Sequence, residues 1–183
     1  MIKSYFSRMK GHERSLPRKP FSKIMWSGIG SFIGIYLVSI IPKLMQIDIL
    51  NSMLLVGSFG ASAVLLYGAP QADFSQPRNL IGGHVISAII GITVYKYINL
   101  DISMLGAIAV SLSIIAMQYT CTMHPPGGAT ALIAVIGGDT IHGLDYMYVI
   151  SPIAVGAFIL LIIALVINNL SNNPKRHYPR SWF

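Results

Sequence analysis

The sequence predicts an all-α integral membrane protein folded as one domain. Of its 183 residues, 54% are hydrophobic and only 10% are charged, whereas roughly a quarter of the residues of a soluble domain are charged. Four apolar segments are each about twenty residues long, which is the length of a helix that spans a bilayer. They cover residues 24–41, 80–98, 102–120 and 147–168.

Basic residues cluster at both ends of the chain. Seven of the thirteen Lys and Arg precede residue 24, and three more lie in the last nine residues. Basic residues beside apolar spans mark the cytoplasmic side. They favour anionic membrane lipids as partners over nucleic acid, for which no binding motif is present. We therefore expect a basic cytoplasmic tail at 1–23, a transmembrane domain at 24–168 and a cytoplasmic tail at 169–183, in the cell (inner) membrane. The first apolar run is too long for a signal peptide and is expected to remain as an anchor.

Two shorter apolar segments are interrupted by small residues or prolines. Residues 51–69 contain Gly57, Ser58 and Gly60, and residues 121–137 begin with CTMHPPGGATAL. Residues 60–65, GASAVL, match residues 128–133, GATALI, at a constant offset of 68, with three identities and three conservative differences. Each copy lies between two long spans. The sequence therefore predicts two three-segment halves, each with two spanning helices and one broken segment.

The distribution of charge predicts the direction of each segment. If both broken segments cross the membrane, eleven Lys and Arg lie inside and only Lys43 and Lys96 lie outside, as the positive-inside rule requires. Both termini are then cytoplasmic, and the loop 138–146 is outside. The two halves have opposite orientation, so the duplication is an inverted repeat.

Each broken segment is expected to begin a half-helix near the middle of the membrane. Pro125 favours an extended conformation for the preceding His124, and Pro126 suits the first turn of a helix. The predicted half-helices run from about 58 to 68 and from about 127 to 137. Their facing N-termini would offer unpaired N–H groups and a partial positive charge to an anion.

Nine residues are the predicted substrate-binding set. Ionisable residues inside a membrane tend to be functional, although an imidazole can also serve only to bond a freed carbonyl. Arg78 fits equally well as an attractor of anions and as an ordinary positive-inside residue. Glycines 82, 83, 91 and 156 are predicted to be close-packing positions between helices. The predicted set is Ser58, Gly60, Ser62, Arg78, His84, His124, Gly127, Gly128 and Thr130.

Four motifs together resemble the HPP family of integral membrane proteins. They are HPPGGATAL at 124–132, GSFGASAVLLYGAP at 57–70, QPRNLIGGH at 76–84 and YPRSWF at 178–183. The resemblance covers nearly the whole chain from about residue 20. It implies four spanning helices and a transporter or channel for a small anion. Because plastid and cyanobacterial relatives are associated with nitrite transport, nitrite is the first candidate.

Other functions are weighed against transport. A membrane-embedded interaction or sensor protein would use the same glycines for assembly. Cys121 with His124 could suggest a hydrolase, but no third orienting group is evident, so we expect no enzyme. His142, Asp139 and Asp145 are expected to lie in a solvated loop and not to form a metal site. No cofactor motif occurs in the sequence. All six acidic residues fall in loops or tails, which favours an anion over a cation as the substrate. Assembly into a homo-oligomer is left open.

Overall fold

The protein is helical in the part of the chain that the structure describes. The structure is a computed structural model, and it describes residues 6–9, 17–44 and 52–183. No strand occurs in these ranges. The α-helices are α1 (Phe21–Leu44), α2 (Ser52–Ala63), α3 (Pro77–Tyr97), α4 (Ile102–Tyr119), α5 (Pro125–Ile136), α6 (Gly138–His142) and α7 (Val155–Asn169).

Four helices are long and apolar enough to cross a membrane, as predicted. The four candidate spans are Phe21–Ile40, Pro77–Tyr97, Ile102–Tyr119 and Val149–Asn169. The last contains a break, because Ser151 has φ −128° and ψ 116°, outside the helical region. A π-helical turn, Val149–Ala154, surrounds this break and leads directly into α7. The prediction of an all-α membrane protein with four long spans is confirmed.

The second broken segment forms a short helix. Helix α5 has 12 residues, so it is about 18 Å long, well short of the bilayer core. His124 precedes it in an extended conformation, with φ −137° and ψ 100°. The helix begins at Pro125, two residues earlier than predicted, since both prolines fit the first turn, where an N–H is not needed.

The first broken segment does not break where the sequence predicted. Helix α2 includes Gly57, Ser58 and Gly60 without interruption, and it continues through a π-helical turn, Val64–Gly68. The predicted half-helix that starts at 58 is therefore wrong. Glycine lowers helix stability by only about 1 kcal/mol and retains its N–H. The burial of neighbouring side chains in α2, such as Phe59, outweighs this cost. Residues 45–51, which precede α2 and include Asp48, lie outside the described residues.

Two ends of the molecule differ in charge. At one end, here called the basic end, the N-terminal segment, the loop 69–76, the turn 120–123 and the C-terminal segment lie together. Contacts between them include Lys19 Nζ to Gly68 O at 2.7 Å and the Arg180–Asp73 ion pair. At the opposite end, Lys96 pairs with Asp145 at 2.5 Å. This grouping agrees with the predicted arrangement of loops, although Lys3, Lys10 and Arg14 lie outside the described residues.

Candidate functional site

Residues 120–124 join α4 to α5; they turn at Cys121, which has φ 55°, and are extended at His124. This segment, 120–124, lies directly on α3 at Gly82 and Gly83. A Cβ added at Gly83 would lie 2.5 Å from His124 Cβ and 2.9 Å from Thr122 O. These distances exclude any larger side chain, so the glycine pair allows His124 to approach α3. Gly82 and Gly83 are thus close-packing positions, although they pack against this segment and not against another helix as predicted.

Side chains at the start of α3 satisfy the carbonyl groups that the break releases. Arg78 Nη2 donates to Thr120 O at 2.7 Å, and Asn79 Nδ2 donates to Met123 O at 2.9 Å. Irregular backbone is tolerated in a membrane only when its polar groups find such partners. Arg78 is exposed at the basic end, and its hydrogen bond gives it a structural role there.

The N-terminus of α5 offers fewer free donors than predicted. Pro125 and Pro126 have no N–H, and Gly127 N donates to His124 O at 2.8 Å. Since α2 does not begin at Ser58, the expected pair of facing half-helix N-termini is not found among the described residues. Side chains are therefore the main hydrogen-bonding groups at this depth.

Four predicted residues come together in one buried cluster, here called the histidine cluster: Ser62, His84, His124 and Thr130. Ser62 Oγ lies 2.8 Å from His84 Nε2 and 2.9 Å from His124 Nε2. On the other side of its ring, His84 Nδ1 lies 2.7 Å from Thr130 Oγ1. The relative exposure of all four side chains is 0%. The cluster joins α2, α3 and the start of α5.

The direction of every hydrogen bond in the cluster follows from one carbonyl. His124 Nδ1 lies 2.7 Å from Phe74 O, which can only accept, so Nδ1 carries the hydrogen. If both imidazoles are neutral, His124 Nε2 must accept from Ser62. Ser62 Oγ then accepts from His84 Nε2, and Thr130 donates to His84 Nδ1. A single directed chain therefore runs from Thr130 to Phe74 O.

Both hydroxyl groups have a second acceptor one helical turn earlier. Ser62 Oγ lies 3.1 Å from Ser58 O, and Thr130 Oγ1 lies 3.3 Å from Pro126 O. If His124 gains a proton on Nε2, Ser62 can turn its hydrogen to Ser58 O and accept from both histidines. Protonation of His84 on Nδ1 would turn Thr130 in the same way. The cluster can thus accept one proton through the rotation of one hydroxyl.

Two protons at once are disfavoured. The ring centroids of His84 and His124 are 4.9 Å apart, and two buried like charges at that separation repel strongly. His84 is the eighth of 21 residues in α3, so it lies about 10 Å along a helix of about 30 Å. The cluster is therefore near the middle of the span, displaced toward the basic end.

The side chains of the other predicted residues take no part in the hydrogen bonds of the cluster, although Ser58 contributes its backbone carbonyl. Ser58 is buried, and its Oγ has no partner among the described residues. Gly60 and Gly128 have open space or ordinary contact beside them. A Cβ at Gly127 would lie 2.7 Å from Ser87 Oγ and 2.8 Å from Gly83 O, so Gly127 serves the close approach of α5 to α3.

Three residues of the site were missed by sequence reasoning. Phe59 packs its ring edge against His84, with centroids 5.2 Å apart. Phe74 supplies its carbonyl to His124, and Tyr148 Oη donates to Thr130 O at 3.2 Å. Phe74 lies in a 3-10 turn, Asp73–Ser75, whose backbone role has no side-chain signature. Phe59, inside the GSFGAS motif, could have been suspected from its position beside Ser58.

The structure separates the residues of the two alternative sites. Cys121 is exposed, whereas both ring nitrogens of His124 are bonded to Ser62 and Phe74. His142 Nε2 lies 3.0 Å from Val135 O, and Asp145 pairs with Lys96. Among the described residues, no group of three His, Cys, Asp or Glu side chains lies close enough together to hold a metal ion.

Comparisons with known proteins agree with the fold. A family model described as HPP, transmembrane region, matches residues 16–179. Two transmembrane proteins of Dictyostelium discoideum are each 40% identical to the chain, over 182 residues (98% of this chain) and 187 residues (100%). The chain spans 57% and 64% of the length of these two relatives. No solved structure matches the chain. With the family model covering most of its residues, this chain belongs to the HPP family of transmembrane proteins.

Proposed function

We propose that this protein transports a small inorganic anion across the membrane together with a proton, with nitrite as the first candidate substrate. The observation that carries the proposal is the histidine cluster. It consists of two imidazoles and two hydroxyls near the middle of the span, and it can take up one proton by rotating one hydroxyl. Ionisable groups at such depth are costly and mark ion or proton pathways.

A protonated cluster would need a counter-charge. The acidic residues in the described part of the chain are Asp73, Asp101, Asp139 and Asp145, and all lie in loops or at helix ends. None can neutralise an imidazolium beside Ser62. A small anion that binds there would supply the missing negative charge and accept hydrogen bonds from the imidazolium and the hydroxyls.

The proton step involves the histidine cluster and the backbone carbonyl of Ser58. A proton from water binds to His124 Nε2. The Ser62 hydroxyl keeps its hydrogen but rotates, so that it donates to Ser58 O instead of to His124 Nε2. Release reverses both changes. Because the four side chains are fully buried, the anion reaches them only when the elements around the cluster separate. In the described hydrogen bonds, Ser62 is the one side chain of α2 that bonds to α3 and to His124, so an opening between α2 and α3 would break this contact.

The identity of the anion rests on the family. The nitrite association belongs to plastid and cyanobacterial relatives, and the two similar Dictyostelium proteins carry only the description transmembrane protein. The geometry itself favours an anion small enough to fit between two imidazoles and two hydroxyls.

A second candidate function is a membrane-embedded interaction or sensor protein. It is favoured by one observation: every ring nitrogen in the cluster already has a partner. A cluster that only holds α2, α3 and α5 together would look the same. The two candidates differ in whether an anion crosses the membrane.

Uptake by purified protein in liposomes separates them. We expect nitrite to accumulate faster than in protein-free liposomes, and faster still when the outside is more acidic than the inside. Chloride, nitrate and formate serve as competing anions, and potassium serves as the cation control. Uptake of every anion at the protein-free rate, with or without a pH gradient, would refute transport and favour the interaction protein.

We also propose that both termini are cytoplasmic, since the basic end carries the excess of Lys and Arg. Asp139 is exposed at the opposite end, and Cys121 is exposed near the basic end. In an Asp139→Cys, Cys121→Ser protein, an impermeant maleimide should label intact cells. The unaltered protein, which has only Cys121, should be labelled after permeabilisation alone. The reverse pattern would contradict this orientation.

A further inference from the structure

A concave pocket of about 240 Å³ lies at the basic end, where the start of α1, the loop after α2 and the C-terminal segment meet. Four of the side chains that line it are basic, and no acidic side chain lines it. The rest of its wall is Ser27 and the segment 68–72. The four basic residues are Lys19, Lys23, Lys175 and Arg176.

These cations have no carboxylate partner among the described residues. The two ion pairs in that part of the chain, Lys96–Asp145 and Asp73–Arg180, use other residues. Lys19 Nζ donates to a backbone carbonyl, Gly68 O. Several positive charges around one concavity produce a strong positive potential that attracts an anion.

Arg176 is the buried member of this group, with 4% of its surface exposed. Its Nη2 donates to Tyr67 O at 2.9 Å and to Asn168 Oδ1 at 3.0 Å. Its Nε has no partner in the described part of the chain. All these acceptors are neutral, and burial lowers the pKa of Arg176. An anion in the pocket would stabilise the charged guanidinium.

A second pocket adjoins the first. It has a volume of about 380 Å³, and Lys23 lines both pockets. Trp26 and Leu170 give the second pocket an apolar part, and tryptophan is enriched where membrane helices enter the headgroup layer. A basic pocket joined to a partly apolar one matches a molecule with a phosphate at one end and a glyceride at the other.

We propose that the basic pocket binds the phosphate of an anionic phospholipid from the leaflet at the basic end, with its glyceride portion against Trp26. Lys23 and Lys175 contribute charge and hydrogen bonds to the phosphate oxygens. Arg176 holds the pocket in shape through its bonds to Tyr67 and Asn168. The adjoining apolar wall favours a lipid over free phosphate, which would leave that wall unused.

The test uses the whole 183-residue chain in detergent. Native mass spectrometry and thermal unfolding are measured with added phosphatidylglycerol, phosphatidylcholine or inorganic phosphate at constant ionic strength. We expect phosphatidylglycerol to be retained and to raise the unfolding temperature, and the other two to have little effect. In Lys23→Gln, Lys175→Gln protein, the affinity for phosphatidylglycerol should fall about fivefold for each lysine replaced, from the known attraction of membrane anions to one basic residue.

The matched control is Arg8→Gln, Arg18→Gln, which removes the same charge from exposed positions that do not line the pocket. It should bind phosphatidylglycerol like the unaltered protein. Equal losses in the two double variants would overturn the proposal, because binding would then follow net charge alone. Stabilisation by inorganic phosphate as large as by phosphatidylglycerol would overturn the assignment to a lipid. Neither outcome depends on whether the protein transports an anion.

Discussion

The two copies of the repeated sequence lie in α5 and in α2 with the turn that follows it, yet the two helices enter the membrane domain differently. Helix α2 runs without a break from Ser52 and ends in a π-helical turn at Gly68. Helix α5 starts inside the domain, after an extended His124. The offset of 68 aligns Gly57 and Ser58 with Pro125 and Pro126. Prolines remove two N–H donors and force the break, whereas glycine and serine do not.

The same alignment pairs Phe59 with Gly127. Phe59 fills the space toward α7, where a Cβ at Gly156 would lie 2.3 Å from its ring. Gly127 instead brings α5 into contact with Gly83 O and Ser87 Oγ of α3. The two copies therefore pack against their neighbours in opposite ways, one with a large ring and one with no side chain.

One feature is the same in both copies: a hydroxyl group that bonds His84. The offset also pairs Ser62 with Thr130, and these two hydroxyls bond the two ring nitrogens of His84, Nε2 and Nδ1. Each hydroxyl also approaches the carbonyl four residues earlier in its own helix. The shared small-residue sequence thus preserves a pair of hydroxyl groups around one imidazole rather than a pair of helix starts.

The largest expected effect tests the tight packing of α5. Gly127→Ala places a methyl group 2.8 Å from Gly83 O. We therefore expect the free energy of unfolding to fall by roughly 3 kcal/mol, or the protein not to fold at all. The matched control is Gly128→Ala, where the nearest atom, Val110 Cγ1, is 3.8 Å away. Thermal unfolding in detergent compares them. Equal stability of the two variants would contradict the close contact.

The next prediction compares the equivalent hydroxyls. Ser62→Ala leaves ring nitrogens of both His84 and His124 without partners, whereas Thr130→Val leaves only His84 Nδ1 unpaired. Each unpaired buried group costs about 1–3 kcal/mol. We therefore expect Ser62→Ala to reduce the free energy of unfolding about twice as much. A larger loss from Thr130→Val would show that Ser62 does not bridge the two histidines.

The smallest expected effect concerns the start of α5. Pro125 is exposed at the first helical position, where a fixed φ mainly restricts the unfolded chain. Pro125→Ala should lower the free energy of unfolding by about 0.5–1 kcal/mol and leave the histidine cluster intact. At the equivalent position of α2, Gly57→Ala should have an effect of similar size in the opposite direction. A severe loss from Pro125→Ala would mean that Pro126 alone does not keep His124 in place.

Several features of this molecule could be predicted from local sequence. The four spans follow from length and hydropathy, and α5 follows from its two prolines, which act locally. The course of α2 could not be predicted, because Gly57 and Gly60 permit both a helix and a break, and packing decides between them. The meeting of Ser62, His84, His124 and Thr130 depends on how three helices pack. Sequence reasoning selected these four residues for their chemistry but could not predict their hydrogen bonds. The role of Phe74 O depends on backbone alone.

The central claim is that His124 accepts the proton that accompanies the anion, and proton-driven nitrite uptake by His124→Asn tests it most directly. The introduced amide can donate to Phe74 O as Nδ1 does, and Ser62 can turn to Ser58 O, so we expect a folded protein. Because an amide takes up no proton, uptake into liposomes should fall to the protein-free rate and lose its dependence on the pH gradient. Folded His124→Asn protein that takes up nitrite at the unaltered rate, with the same response to the pH gradient, would show that this histidine is structural and would contradict the account.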